Sequence, residues 1–98
     1  MSYYFHYEAE KELSQTVAYY EDIHPGLGLD FATEVYSTTQ RIVSFPTAWT
    51  KLGDDVRRCM VNRFPYGVLY REEGEQIQIL AVMNLNQKPG YWKARLEK

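Results

Sequence analysis

Arg57 and Arg58 are adjacent and Arg63 follows in the same stretch, the densest basic group of the chain. A planar guanidinium can clamp a phosphate through paired N–H groups, so any one of these three can hold a phosphate. Strand alternation sends Arg57 and Arg63 to one side and Arg58 to the other. The structural alternative is that they are solvated strand charges or pair with Asp55, Glu72 and Glu73.

Other reactive residue types offer less. His6 and His24 lie in unlike contexts with no metal-ligand spacing between them, and read as surface or edge histidines. Cys59 is the single cysteine, which excludes an intramolecular disulfide and a cysteine-based zinc cage, and it reads as a small buried hydrophobe. Gly26-Leu27-Gly28 lacks the preceding strand and the lysine of a phosphate loop, leaving it as helix punctuation. No metal or cofactor is expected. The aromatic residues point instead to contact surfaces: Trp49, Tyr66, Tyr70, Tyr91 and Trp92, with Arg95, are the candidate partner-binding residues. Trp49 in a polar loop either plugs the core edge or sits open to a partner, and Trp92 can equally cover an open sheet face.

A chain of 98 residues with net charge −2 and 45% apolar residues fits one globular domain spanning 1–98. Its mild acidity gives no general attraction for nucleic acid, so a nucleic-acid site would have to be a local patch. The N-terminus lacks the basic region and apolar run of a signal peptide, and no stretch approaches the ~20 apolar residues of a membrane span. With one cysteine, the expectation is a cytoplasmic protein.

The elements that would position these residues follow from periodicity. Tyr3, Phe5 and Tyr7 alternate as a short strand; from Glu8 the period becomes helical, with Ala9, Leu13, Val17 and Tyr20 on one stripe as far as about Asp22. His24-Pro25-Gly26 breaks that helix, and a second carries Leu27, Phe31, Val35, Thr38, Ile42 and Phe45 up to Pro46. After a polar loop, strands are predicted over 56–62, 67–72 and 76–83, with short links that imply an antiparallel meander. In the last, Ile77, Ile79, Ala81 and Met83 are expected on one face and Leu80 and Val82 on the other, a pattern for a central strand. The order β-α-α-β-β-β gives an α+β fold with a helical hairpin on one face of a small four-stranded antiparallel sheet.

At this point the sequence resembles a known group. The run from Arg57-Arg58 through Phe64-Pro65-Tyr66 to Tyr70 is similar to the centre of RelE/ParE superfamily toxins. Glu10-Lys11-Glu12-Leu13, Tyr19-Tyr20-Glu21 and Gly26-Leu27-Gly28 resemble the helical hairpin of that group, and Pro89-Gly90-Tyr91-Trp92 with Arg95 its C-terminal tail. The resemblance implies a plasmid-stabilisation type of toxin neutralised by a cognate antitoxin in a hetero-oligomer. It also implies one of two targets: a DNA gyrase subunit for ParE-like members, or ribosome-bound mRNA for RelE-like endoribonucleases. For the second, the resemblance makes Arg57, Arg58, Arg63, Tyr91 and Arg95 the candidate catalytic residues of a metal-free cleavage, which needs a group to position the 2′-hydroxyl, a cation for the pentavalent phosphate and an acid for the leaving oxygen. A non-toxic, antitoxin-binding relative is the third possibility. Where many relatives carry a histidine and arginines after the last strand, this chain has Met83-Asn84-Leu85-Asn86-Gln87. Amides bond but neither transfer protons nor neutralise phosphate, so the residues favour protein binding over RNA cleavage.

Overall fold

Alternating aromatics, two amphipathic stripes and a run of β-branched strands need a shared core, and two layers around one sheet supply it. The computed structural model describes residues 1–97. Strand β1 spans Ser2–Phe5, helix α1 Tyr7–Ile23, helix α2 Leu27–Ser44, and strands β2 to β5 Thr50–Gly53, Val56–Met60, Tyr66–Glu73 and Gln76–Asn84. A 3-10 turn over Lys93–Glu97 follows. The sheet order is β1-β5-β4-β3-β2.

Each helix start has a local cause. His6 Nδ1 accepts the Glu8 backbone N–H at 3.0 Å, capping α1, which begins one residue before the sequence expectation and carries Tyr7 out of the strand. The Glu21 carboxylate, from the end of α1, accepts the N–H groups of Gly26 and Gly28 at 2.9 and 3.0 Å and so caps α2 across the hairpin. Gly28 is where the two helices meet: a Cβ there would lie 2.5 Å from the Val17 carbonyl oxygen. The second helix stops at Ser44, leaving Phe45 64% exposed rather than on the buried stripe.

Three expectations for the sheet are corrected. The sheet is mixed, because β1 runs parallel to β5, with Phe5 opposite Ile79. The connection between this pair runs through both helices and strands β2 to β4, long enough for the crossover that a parallel pair requires. There are five strands rather than four among the described residues, since Thr50–Gly53 of the supposed loop pairs antiparallel with β3. Finally, β5 does not keep one face. Leu69 pairs with Ala81 but Tyr70 with Ile79, so Leu80 is an extra residue and a bulge reverses the alternation. Ile77, Ile79 and Val82 therefore join the helix-side core, while Leu80, Ala81 and Met83 face the far side.

The helix-side core holds Ala9, Phe31, Val35 and Ile42 against Cys59, Val68, Tyr70, Ile77 and Ile79. The far side is covered by the C-terminal segment, whose Trp92 packs on Val56, Leu69, Leu80, Ala81 and Met83. Strand β5, buried on both faces between β1 and β4, has the central place its sequence predicted. Among the described residues no helix is long and apolar enough to cross a membrane.

Candidate partner-binding face

The tail from Lys88 onward carries Tyr91, Trp92 and Arg95, and its position depends on α1. Strand β1 leaves β5 after Phe5, where His6 N–H donates to the Ile79 carbonyl at 2.8 Å. Beyond that point, among the described residues, the edge of β5 has no strand beside it, and side chains take over. Glu12 Oε1 accepts the Val82 N–H at 2.9 Å, and Arg95 Nη1 donates to the Leu80 carbonyl at 2.8 Å. Arg95 also forks onto both Glu12 oxygens, at 3.0 and 2.8 Å, and the Tyr91 hydroxyl donates to Glu12 Oε2 at 2.7 Å. One carboxylate thus ties α1, the bare strand edge and the tail together. Burial, the bond to Glu12 and that carboxylate's charge push the Tyr91 phenol well above its ordinary value.

On the far side of the sheet this tethered tail makes one wall of a pocket of about 350 Å³. Pro89, Trp92 and Lys93 come from the tail, Leu52 from β2, Met83 and Leu85 from β5 and the residues after it, and Arg58 from β3. Arg58 lies across Gly67 of β4, where a Cβ would stand 3.0 Å from the arginine Cγ; the glycine makes the room. Its Nε–H is buried and meets no acceptor, the single side-chain atom of that kind among the described residues.

The other candidates lie elsewhere. Arg57, on the helix side and so opposite Arg58 as alternation predicts, donates to the Trp49 carbonyl at 2.8 Å and lines a polar pocket of about 220 Å³ with Lys51, Tyr70 and Glu72. Arg63, in a loop after β3 with φ of 74°, faces Asp30 and Glu34 of α2 at 3.5 and 3.9 Å rather than Asp55, Glu72 or Glu73. The five candidate catalytic residues are therefore divided among four places, and only Tyr91 and Arg95 meet.

Several aromatic candidates are core residues. Phe64 and Tyr66 pack edge-to-face with Tyr20 and Phe31, with ring centroids 4.9 to 6.3 Å apart. Tyr70 is buried and donates its hydroxyl to the Pro46 carbonyl. Tyr66, Tyr70 and Trp92 thus offer a partner little side-chain surface; their burial follows from being the largest apolar bodies on strands and tail that are covered on the faces they point to. Trp49 takes the first of its two alternatives, half-buried at the core edge with its Nε1–H toward the Arg41 carbonyl at 3.4 Å. Cys59 is likewise in the core, where burial pushes its thiol up against the opposing pull of Arg41.

Two residues were not singled out by sequence. Glu12 reads as a helix-dipole acid, although its place beside Leu13 and three residues after Ala9 puts it on the rim of the apolar stripe, where a carboxylate needs a partner. Arg41, whose Nη2 donates to the Met60 carbonyl at 2.9 Å and fixes α2 to β3, carries no sequence signal beyond its helix-end position.

Neither family models nor curated protein sequences match this chain. Among solved structures, a chain of the "Chromosomal ParDE TA system from P. aeruginosa" superposes with a TM-score of 0.76 at 22% identity, covering 88% of this chain and 97% of that one. The two share one α+β fold.

Proposed function

We propose that this chain is the toxin of a toxin–antitoxin pair, ParE-like in kind. In this reading it is a single cytoplasmic domain that binds a DNA gyrase subunit and is neutralised by a cognate antitoxin. The fold shared with a chain of a ParDE system over nearly its whole length supports the toxin–antitoxin part. The observation that carries the choice of mechanism is the separation of the arginines. Metal-free RNA cleavage needs its cation, base and acid within reach of one phosphate. Here Arg57 is bonded to a loop carbonyl, Arg63 faces two α2 carboxylates and Arg95 is locked on Glu12, each away from the Arg58 pocket. Asn84, Asn86 and Gln87, after the last strand, cannot supply the missing proton transfer.

The second reading, a RelE-like endoribonuclease, draws on Arg58 alone, a cation with an unused donor beside a pocket. Purified protein separates the two. The gyrase reading expects loss of ATP-dependent supercoiling of relaxed plasmid, with mRNA on programmed ribosomes left intact. Cleaved message and unimpaired supercoiling would replace it with the ribonuclease.

A further inference from the structure

Arg58 is placed as an anchor without a load. Every other arginine is engaged, Arg41, Arg57, Arg71 and Arg95 by hydrogen bonds and Arg63 by carboxylates, whereas Arg58 has a buried Nε–H and no acceptor among the described residues. An unsatisfied buried donor of this kind is costly and is seldom kept without cause. The walls around it are apolar, from Leu52, Met83 and Trp92. Two exposed apolar side chains extend that surface on either side, Leu85 in the pocket rim and Met60, whose sulfur lies beside Gly67 next to Arg58.

We propose that this pocket receives a carboxylate side chain flanked by a bulky apolar residue, presented by an extended segment of the protein that the toxin binds. The proposal rests on the protein-binding reading and names the surface that would serve it. A guanidinium and a carboxylate form two parallel N–H···O bonds, and an apolar rim strengthens such a pair by excluding water. A protein segment fits better than a nucleic acid. Lys93, the other cation of the pocket, is 61% exposed in its side chain and already within 4.0 Å of Asp54. A phosphate chain gains affinity from many cations, and it would here lie against leucine, methionine and tryptophan. The tail that forms the wall is held by Glu12, so the pocket is built before a partner arrives.

The test uses the full chain, labelled with nitrogen-15, and two capped tetrapeptides, acetyl-Leu-Asp-Leu-Phe-amide and its Leu-Asn-Leu-Phe counterpart. Amide shifts at Leu52, Met83 and Leu85 and the Trp92 indole should saturate with the Asp peptide at about ten-fold lower concentration than with the Asn peptide, the size of a charge-assisted hydrogen bond. In Arg58→Gln the two peptides should bind alike, Arg58→Lys should keep only part of the preference, and Arg71→Gln, on the other pocket, should keep all of it. No saturable shift, or equal binding of the two peptides to the wild type, overturns the proposal. So does displacement of the Asp peptide by the dinucleotide uridylyl-adenosine at lower concentration, which would make the site one for nucleic acid. Because the peptide difference is read on the wild type, a misfolded variant does not decide the matter. Gyrase inhibition without the Asp–Asn difference would leave the toxin reading in place and remove only this pocket from it.

Discussion

Tyr70 sits in the helix-side core with 1% of its surface exposed, its hydroxyl bonded to the Pro46 carbonyl. Burial, partly offset by the charge of Arg57, pushes its phenol up to about 12 from an ordinary value near 10. The folded state therefore keeps a proton that the unfolded chain releases. The stabilisation is whole below pH ~10 and declines as pH rises toward 12, by up to about 1.4 kcal/mol per pH unit. Urea midpoints measured from pH 9 to 11 should fall, and Tyr70→Phe, though less stable at pH 7 by about 1 kcal/mol for the lost bond, should fall less steeply. Gly28 is a second position where one atom decides. Adding a methyl puts carbon against the Val17 carbonyl oxygen, so Gly28→Ala should cost about 2–3 kcal/mol in denaturant unfolding despite alanine's better helix propensity. Residue patterns put Arg57 and Arg58 on opposite sides of their strand, as the structure does, because a strand period of two is local. The union of Glu12 with Arg95 was not legible, since its partners are far apart in sequence and only the fold brings them together.

Among the elements, the hairpin from β2 to β3 turns on two residues, Asp54 and Asp55, with φ of 54° and 61°. Two-residue hairpins favour such primed turns, and glycine accepts the geometry without the steric cost of a side chain. Asp55→Gly should raise the thermal midpoint, by about 0.5–1 kcal/mol in stability at the transition. The tail is a different case. Glu12 and Arg95 are 19% and 12% exposed in their side chains, and Glu12→Gln removes the charge that holds Arg95, Tyr91 and the bare edge of β5. A loss of about 2–3 kcal/mol is expected, with a double-mutant cycle against Arg95→Ala giving coupling above about 1 kcal/mol. Coupling near zero would mean that the tail is held by Trp92 alone. Both helices and four of the five strands among the described residues, β1 included, were readable because each carries its own apolar period. The parallel pairing of β1, the short β2 and the Leu80 bulge were not, since each depends on which strand lies alongside rather than on its own residues.

For the molecule as a whole, the helical hairpin covers one side of the sheet and the tail covers much of the other, leaving the Arg58 pocket between the tail and the β2–β3 hairpin. The resemblance read from scattered motifs and the fold shared at 22% identity agree on the architecture, and in this chain the Phe64-Pro65-Tyr66 motif earns its place by packing rather than by chemistry. A fold hosts more than one activity, so the target has to be read from what fails first in a cell. The most direct measurement is induction of the wild-type chain in a bacterium lacking the proposed antitoxin, with thymidine and methionine incorporation followed in parallel over the first minutes. DNA synthesis is expected to fall first while translation continues, and co-expression of the proposed antitoxin to restore it; translation failing first, with cut messages, would contradict the proposed gyrase target.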